Sequence, residues 1–227
     1  MGAGVVTLRE GFEASLIVGI VLAFLDRTGR RDGFLAVWIG AMLAVTLSIA
    51  FGIGLFLVGA ELEGTAEAVW EGGTMLFAAG LLTWMVFWMR KQARFIRKDL
   101  EGRVQAALAT GSSLALGTVA FVGVAREGLE TSLFLVGQAN SADLGAPSVL
   151  VGAVIGLLIA AVLGVGFYQG SRRLNLATFF RWTGVALIFI AAGLLSVGVH
   201  ELIEIGVIQF GTQTLWFYFR PRKAQTS

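Results

Sequence analysis

The chain has 227 residues, of which 56% are hydrophobic and 14% charged, with 31 glycines, 2 prolines and no cysteine. A soluble domain carries about 25% charged residues, so this chain lacks the polar surface that water requires and reads as an integral membrane protein. The missing cysteines exclude disulfide frameworks, thiolate metal sites, iron–sulfur clusters and cysteine nucleophiles.

Crossing a hydrocarbon core takes roughly 20 apolar residues in a helix. Segments of about that length run near Gly4–Leu25, Phe34–Ala60, Ala68–Met89, Leu108–Gln138, Val149–Gly170 and Phe179–Val199. The first is interrupted by Arg9, Glu10 and Glu13 and lacks both a basic n-region and a small-residue cleavage site, so it is a retained helix and not a signal peptide. A seventh candidate, Ile205–Phe219, has 15 residues and as a helix would reach only about 22 Å. A tilted, shortened or re-entrant piece fits it as well as a full span.

Charge alternates between the connections. The first holds Arg27, Arg30 and Arg31, the third Arg90, Lys91, Arg94, Arg97, Lys98 and Arg103, and the fifth Arg172, Arg173 and Arg181, while the tail ends with Arg220, Arg222 and Lys223. These are 15 of the 17 basic residues; the other two are Arg9 and Arg126. The even connections are acidic, with Glu61, Glu63, Glu67 and Glu71, then Asp143, then Glu201 and Glu204. The excess of Lys and Arg on one side predicts a multi-pass protein of the cytoplasmic membrane with its N-terminus outside and its basic loops cytoplasmic. The net charge of +2 is thus topology, and no nucleic-acid partner is called for. The stretch from Arg90 to Arg103 reads as a basic amphipathic segment against anionic lipid.

The chain also repeats itself. Arg9-Glu10-Gly11-Phe12-Glu13-Ala14-Ser15-Leu16 returns as Arg126-Glu127-Gly128-Leu129-Glu130-Thr131-Ser132-Leu133, 117 residues later. Phe51-Gly52-Ile53-Gly54 matches Leu163-Gly164-Val165-Gly166 at an offset of 112, and Ala78-Ala79-Gly80-Leu81-Leu82 matches Ala191-Ala192-Gly193-Leu194-Leu195 at 113. Each unit has three crossings, so the second enters from the opposite side, the inverted-repeat plan of transporters that hold a substrate between two halves. The fold class expected is therefore an all-α integral membrane protein of six to seven transmembrane helices, built as two inverted three-helix repeats. The domain plan is a single permease domain, 1–227: repeat one at about 1–90, a cytoplasmic linker at about 90–104, repeat two at about 105–204 and a short segment 205–227. Rocking of one three-helix unit against the other is the expected motion.

A charge at the centre of a membrane helix costs roughly 2.5–3.5 kcal/mol on insertion scales. Arg9, Glu10, Glu13, Arg126, Glu127 and Glu130 must therefore face the interior. Arg9 and Glu13 are i, i+4 and Glu10 and Glu13 are i, i+3, so each copy is a compact patch on one helix face. Pseudo-symmetry would bring the two patches together, four Glu against two Arg, as an oxygen-rich cage suited to a hard cation.

The doubled Arg-Glu-Gly-x-Glu motif, with Trp84-Met85-Val86-Phe87-Trp88-Met89-Arg90 and His200-Glu201-Leu202, resembles the oxidase-dependent iron permeases, the high-affinity iron transporters of fungi and bacteria. That resemblance implies iron uptake across the cytoplasmic membrane, with iron as transported substrate and no cofactor; no Asp-rich prenyl motif, nucleophile or second His supports a membrane-embedded enzyme, so no enzymatic activity is expected. It also implies Glu10, Glu13, Glu127 and Glu130 as metal ligands, Arg9 and Arg126 as supporting charges, and an outer partner that oxidises or delivers iron, the expected cargo being ferric. Such a fold also admits a homo-oligomer. Glu71, His200, Glu201 and Glu204 are candidate outer ligands, His200 and Glu204 standing at i, i+4. The alternative reading is a proton-coupled carrier for another divalent metal or an organic solute, with the carboxylates as relay and the arginines binding an anion.

Overall fold

A computed structural model describes residues 2–92, 96–141, 145–168 and 176–206, apart from the side chains of 90–92, 96–97, 141, 146 and 176–177. The described residues form seven α-helices: α1 (Gly2–Arg27), α2 (Phe34–Ala60), α3 (Thr65–Gln92), α4 (Ile96–Ala109), α5 (Ser113–Ser141), α6 (Gly145–Tyr168) and α7 (Leu176–Glu204). The chain is an all-α membrane protein. The spans Arg31–Ala60, Thr65–Met89, Pro147–Tyr168 and Thr178–Glu204 are long and apolar enough to cross a bilayer. Helices α1 and α5 have 26 and 29 residues, ample for crossing, but each carries an Arg and two Glu at its centre. The short α4 takes the place of the basic amphipathic segment.

Helix boundaries differ from the hydropathy reading where glycine intervenes. The fourth span was expected from Leu108, yet α4 runs to Ala109 and α5 begins at Ser113. Gly111 between them has φ +66°, a left-handed turn that a side chain disfavours. His200 and Glu201 were placed after the sixth span; α7 continues through both to Glu204. The predicted seventh candidate, from residue 207 onward, lies outside the described residues, as do Asp143, Arg94, Arg172, Arg173 and the basic tail.

Small residues set the packing. Helix α1 lies parallel along α6, Gly4 facing Gly152, Gly11 facing Ala160 and Gly19 facing Tyr168. In the same way α2 lies parallel along α5, Gly40 against Gly117 and Gly52 against Ser132. With no Cβ between them the backbones approach closely, and hydroxyls bond across: Thr7 Oγ1 donates to the Ala153 carbonyl at 3.1 Å and Ser132 Oγ to the Ser48 carbonyl at 2.8 Å. One pair is the image of the other. Ser15 against Gly164 becomes Ser132 against Gly52, and Gly11 against Ala160 becomes Gly128 against Ser48, under the offsets of the sequence repeat.

The remaining pairs run antiparallel. Gly2 faces Gln138 and Ile17 faces Gly123 across α1 and α5, while Gly72 faces Leu202 and Leu76 faces Gly198 across α3 and α7. A pseudo-two-fold through these two crossings relates α1–α3 to α5–α7. Between the crossings lies an apolar core that includes Val6, Met75, Leu82, Met85, Phe134 and Leu187.

The closest packing is between the repeats, not within them. The closest partner of α1 is α6, and that of α5 is α2, whereas α1–α2 and α2–α3 touch only slightly. The two repeats are interleaved: α1 packs most closely with α6, α2 with α5 and α3 with α7.

Candidate functional site

Helical spacing puts Arg9, Glu10 and Glu13 on one face of α1, and the repeat puts Arg126, Glu127 and Glu130 on one face of α5. Because α1 and α5 cross antiparallel at this level, the faces meet. Glu10, Glu127 and Glu130 each present a carboxylate oxygen within 4.8 Å of the others. All three are buried, Glu10 completely. Both oxygens of Glu10 and Oε2 of Glu130 accept no hydrogen bond. Leaving buried charged acceptors unpaired is costly unless a cation occupies the space between them.

Glu13 is buried but stands outside this trio; Arg9 Nε lies 3.1 Å from its Oε1, and Arg9 Nη1 lies 3.6 Å from Glu10 Oε1. The expected symmetric cage of four glutamates is thus a trio plus an ion pair. The arginines differ as well. The Arg9 side chain is 2% exposed and lies among its own glutamates. The Arg126 side chain is 39% exposed, donates from Nε to Glu130 Oε1 at 3.0 Å, and sets its guanidinium 4.3 Å above the Trp88 ring. Trp88 belongs to a stretch noted in the sequence, but no periodicity or charge pattern marked it for a role.

On the side away from α3 and α7, a cavity of about 470 Å³ opens between α2 and α6 and reaches Glu10 and Glu127. Its other walls are mostly aliphatic, among them Val45, Ile49, Ile53 and Leu157. Beyond the two glutamates, such walls offer a hydrated ion only the hydroxyls of Ser48, Thr131 and Ser132.

The four outer candidates do not join the trio. Glu71 stands in the second turn of α3, half-buried and within electrostatic reach of Glu67 and Glu201. Val6, Met75 and Phe134 pack nearer the centre of the bundle. His200 Nε2 lies 3.5 Å from Glu204 Oε1, both side chains being at least half exposed. Glu61 and Glu63 are exposed at the turn between α2 and α3. Just inward of Glu71, Asn140 Nδ2 donates to Thr74 Oγ1 at 3.4 Å, a polar contact between α5 and α3 that sequence reasoning missed because neither residue is charged.

The model of the iron permease FTR1 family matches residues 1–220. The chain is 37% identical over 218 residues to the ferrous iron permease EfeU of Yersinia pestis, covering 95% of this chain and 73% of that protein. It is 40% identical over 217 residues to the ferrous iron permeases EfeU of Escherichia coli (strain UTI89 / UPEC) and Shigella sonnei (strain Ss046), covering 95% of this chain and 75% of each. No solved structure matches it. With buried carboxylates from two helices meeting inside the bundle and the family match spanning nearly all 227 residues, the chain belongs to the iron permease FTR1 family.

Proposed function

We propose that the chain carries iron across the cytoplasmic membrane by passing it through the Glu10, Glu127 and Glu130 carboxylates at the α1/α5 crossing. The observation that carries this is the convergence of three buried carboxylates from both repeats within 4.8 Å, with neither oxygen of Glu10 accepting a hydrogen bond. The N-terminus is outside, α4 lies on the cytoplasmic surface between repeats of about 1–90 and 105–204, and Glu71 and Glu201 gather cations at the outer mouth. Arg9 holds Glu13, and Arg126 holds Glu130. Movement of the α1/α6 pair relative to the α2/α5 pair changes the spacing of the trio and opens it to one side or the other.

The charge of the site favours ferrous iron. Four carboxylates and two guanidiniums sum to minus two, which a divalent ion neutralises, whereas a trivalent ion leaves a net charge in a region of low dielectric. The names of the relatives also specify ferrous iron. An extracytoplasmic protein that oxidises or delivers iron, implied by the family resemblance, would dock over the outer acidic group.

The test is uptake of radioactive iron by proteoliposomes containing the purified chain. Ferrous iron held reduced by ascorbate and ferric citrate are compared for the parent, Glu10→Gln and Glu127→Gln. Ferrous uptake that either substitution abolishes supports the proposal. Undiminished uptake by both variants overturns the site, and faster ferric than ferrous uptake overturns the assignment of oxidation state.

A further inference from the structure

The two motifs have the same sequence pattern but not the same arginine geometry, and the repeat itself shows where the difference arises. Arg9 is enclosed and touches both of its glutamates, while Arg126 makes one bond to Glu130 and sets its Cζ 4.3 Å over the Trp88 ring. Matching Ala78–Leu82 to Ala191–Leu195 places Glu201 of α7 where α3 has Trp88. The aromatic ring is thus present on one side of the pseudo-symmetry only. Trp84 stacks on Trp88 at 6.1 Å with ring planes 22° apart, which fixes the ring under the guanidinium.

We infer that Trp88 is a positioning residue: it holds the Arg126 guanidinium off the Glu10–Glu127–Glu130 trio and so keeps the ion site vacant for iron. A guanidinium has five donors in a rigid fork suited to bidentate carboxylate binding; Oε2 of its own partner Glu130 accepts no hydrogen bond, and Glu127 lies within its electrostatic reach. Unrestrained, Arg126 would bond to these carboxylates and compete with a cation for the same oxygens. Attraction to the face of Trp88 offsets that pull. Among the described residues no aromatic ring is stacked on Arg9, which is enclosed between Glu10 and Glu13 as an ion pair; the more exposed Arg126 is the cation with room to swing toward the trio behind a departing ion.

The inference rests on the trio being the ion site, and the experiment separates the two. Initial rates of ferrous uptake are measured against iron concentration for the full chain in proteoliposomes, comparing Trp88→Leu, Trp88→Phe, Arg126→Gln and Trp88→Leu/Arg126→Gln. Trp88→Leu raises KM about tenfold, the factor that about 1.4 kcal/mol sets and within the range of a partly desolvated cation–π contact, and changes the maximal rate far less. Trp88→Phe, which keeps an aromatic face, recovers most of the affinity. In the Arg126→Gln background, Trp88→Leu adds nothing. An unchanged KM in Trp88→Leu overturns the inference, as does the same loss with Arg126 absent or a failure of Trp88→Phe to rescue. If Glu10→Gln and Glu127→Gln leave uptake intact, site and inference fall together. If they abolish it while Trp88→Leu is silent, only the role of Trp88 falls.

Discussion

If iron moves through a change at the α1/α5 crossing, tying α1 to α5 stops transport, whereas tying α1 to α6 does not. A Cβ built on Gly123 lies 3.9 Å from the Cβ of Ile17, and one built on Gly152 lies 3.6 Å from that of Ala3. A disulfide spans about 3.5–4.5 Å between these atoms, so Ile17→Cys/Gly123→Cys and Ala3→Cys/Gly152→Cys are both in range, the second asking the Gly4 backbone, 3.3 Å from a Gly152 Cβ, to give slightly. Replacing Ile17 also removes the Cγ2 that a Gly123 Cβ would meet at 2.9 Å. The chain has no cysteine of its own to interfere. Gly123 precedes Glu127 by about 6 Å of helix rise, and the bridge confines the local Cα separation to about 4.4–6.8 Å. The first bridge therefore clamps the crossing one turn from the trio; the second joins helices that move together on the proposed reading. With copper–phenanthroline as oxidant, iron uptake into proteoliposomes should fall in step with the cross-linked fraction for Ile17→Cys/Gly123→Cys and return with dithiothreitol. Ala3→Cys/Gly152→Cys should keep its unoxidised rate. Equal rates for the two cross-linked proteins, or a block by the α1/α6 bridge alone, would refute the assignment of moving bodies.

Gly40→Ala drives a methyl group into the Gly117 carbonyl and should cost about 1–3 kcal/mol by overpacking, read as a lower melting temperature in detergent. Gly54→Ala, where a Cβ meets nothing within 4 Å, should hold or raise that temperature because alanine is the better helix former. Glu71→Gln with Glu201→Gln should raise KM severalfold at low ionic strength and have little effect at high salt, since exposed charges act over a Debye length; a salt-independent loss would mean that these side chains ligate iron directly. Glu13→Gln leaves Arg9 with Glu10 as its remaining carboxylate partner, so KM should rise while transport persists, in contrast to the loss of transport in Glu10→Gln.

The long helices were legible because hydropathy and length suffice to mark them: Phe34–Ala60 was read to the residue as α2. The start of α5 was misread because Leu108 and Ala109 continue the apolar pattern across a break that lies in the backbone angle of Gly111. The meeting of Glu10 with Glu127 and Glu130 was readable from the doubled motif and the odd number of crossings. Which glutamate stays out was not, because that depends on the direction in which Arg9 reaches along its own helix. The interleaving of α1 with α6 was hidden for another reason. Small residues mark a helix as able to pack closely without naming its partner, and Gly11, Ser15 and Gly19 could equally have met α2. Trp88 was invisible as a functional residue because aromatic side chains near a membrane surface are common and only the position of Arg126 gives this one a task.

The charge arrangement also bears on why the chain is a permease and not a leak. With Arg9 shared between Glu10 and Glu13 and Arg126 on Glu130, two guanidiniums face four carboxylates and leave a formal excess of two negative charges at the crossing. Two like charges in contact in a dry interior repel strongly, since the interaction is far less screened than in water. On the proposed reading the closed, dehydrated arrangement is therefore unfavourable while the site is empty and becomes favourable when a divalent ion takes up the excess. Closure is then linked to occupancy, because a ligand shifts a conformational equilibrium only by its differential affinity for the two states. A fully balanced site, with one arginine for every glutamate, would close as readily empty as loaded, and the mirrored motifs would do no more than pack two helices together.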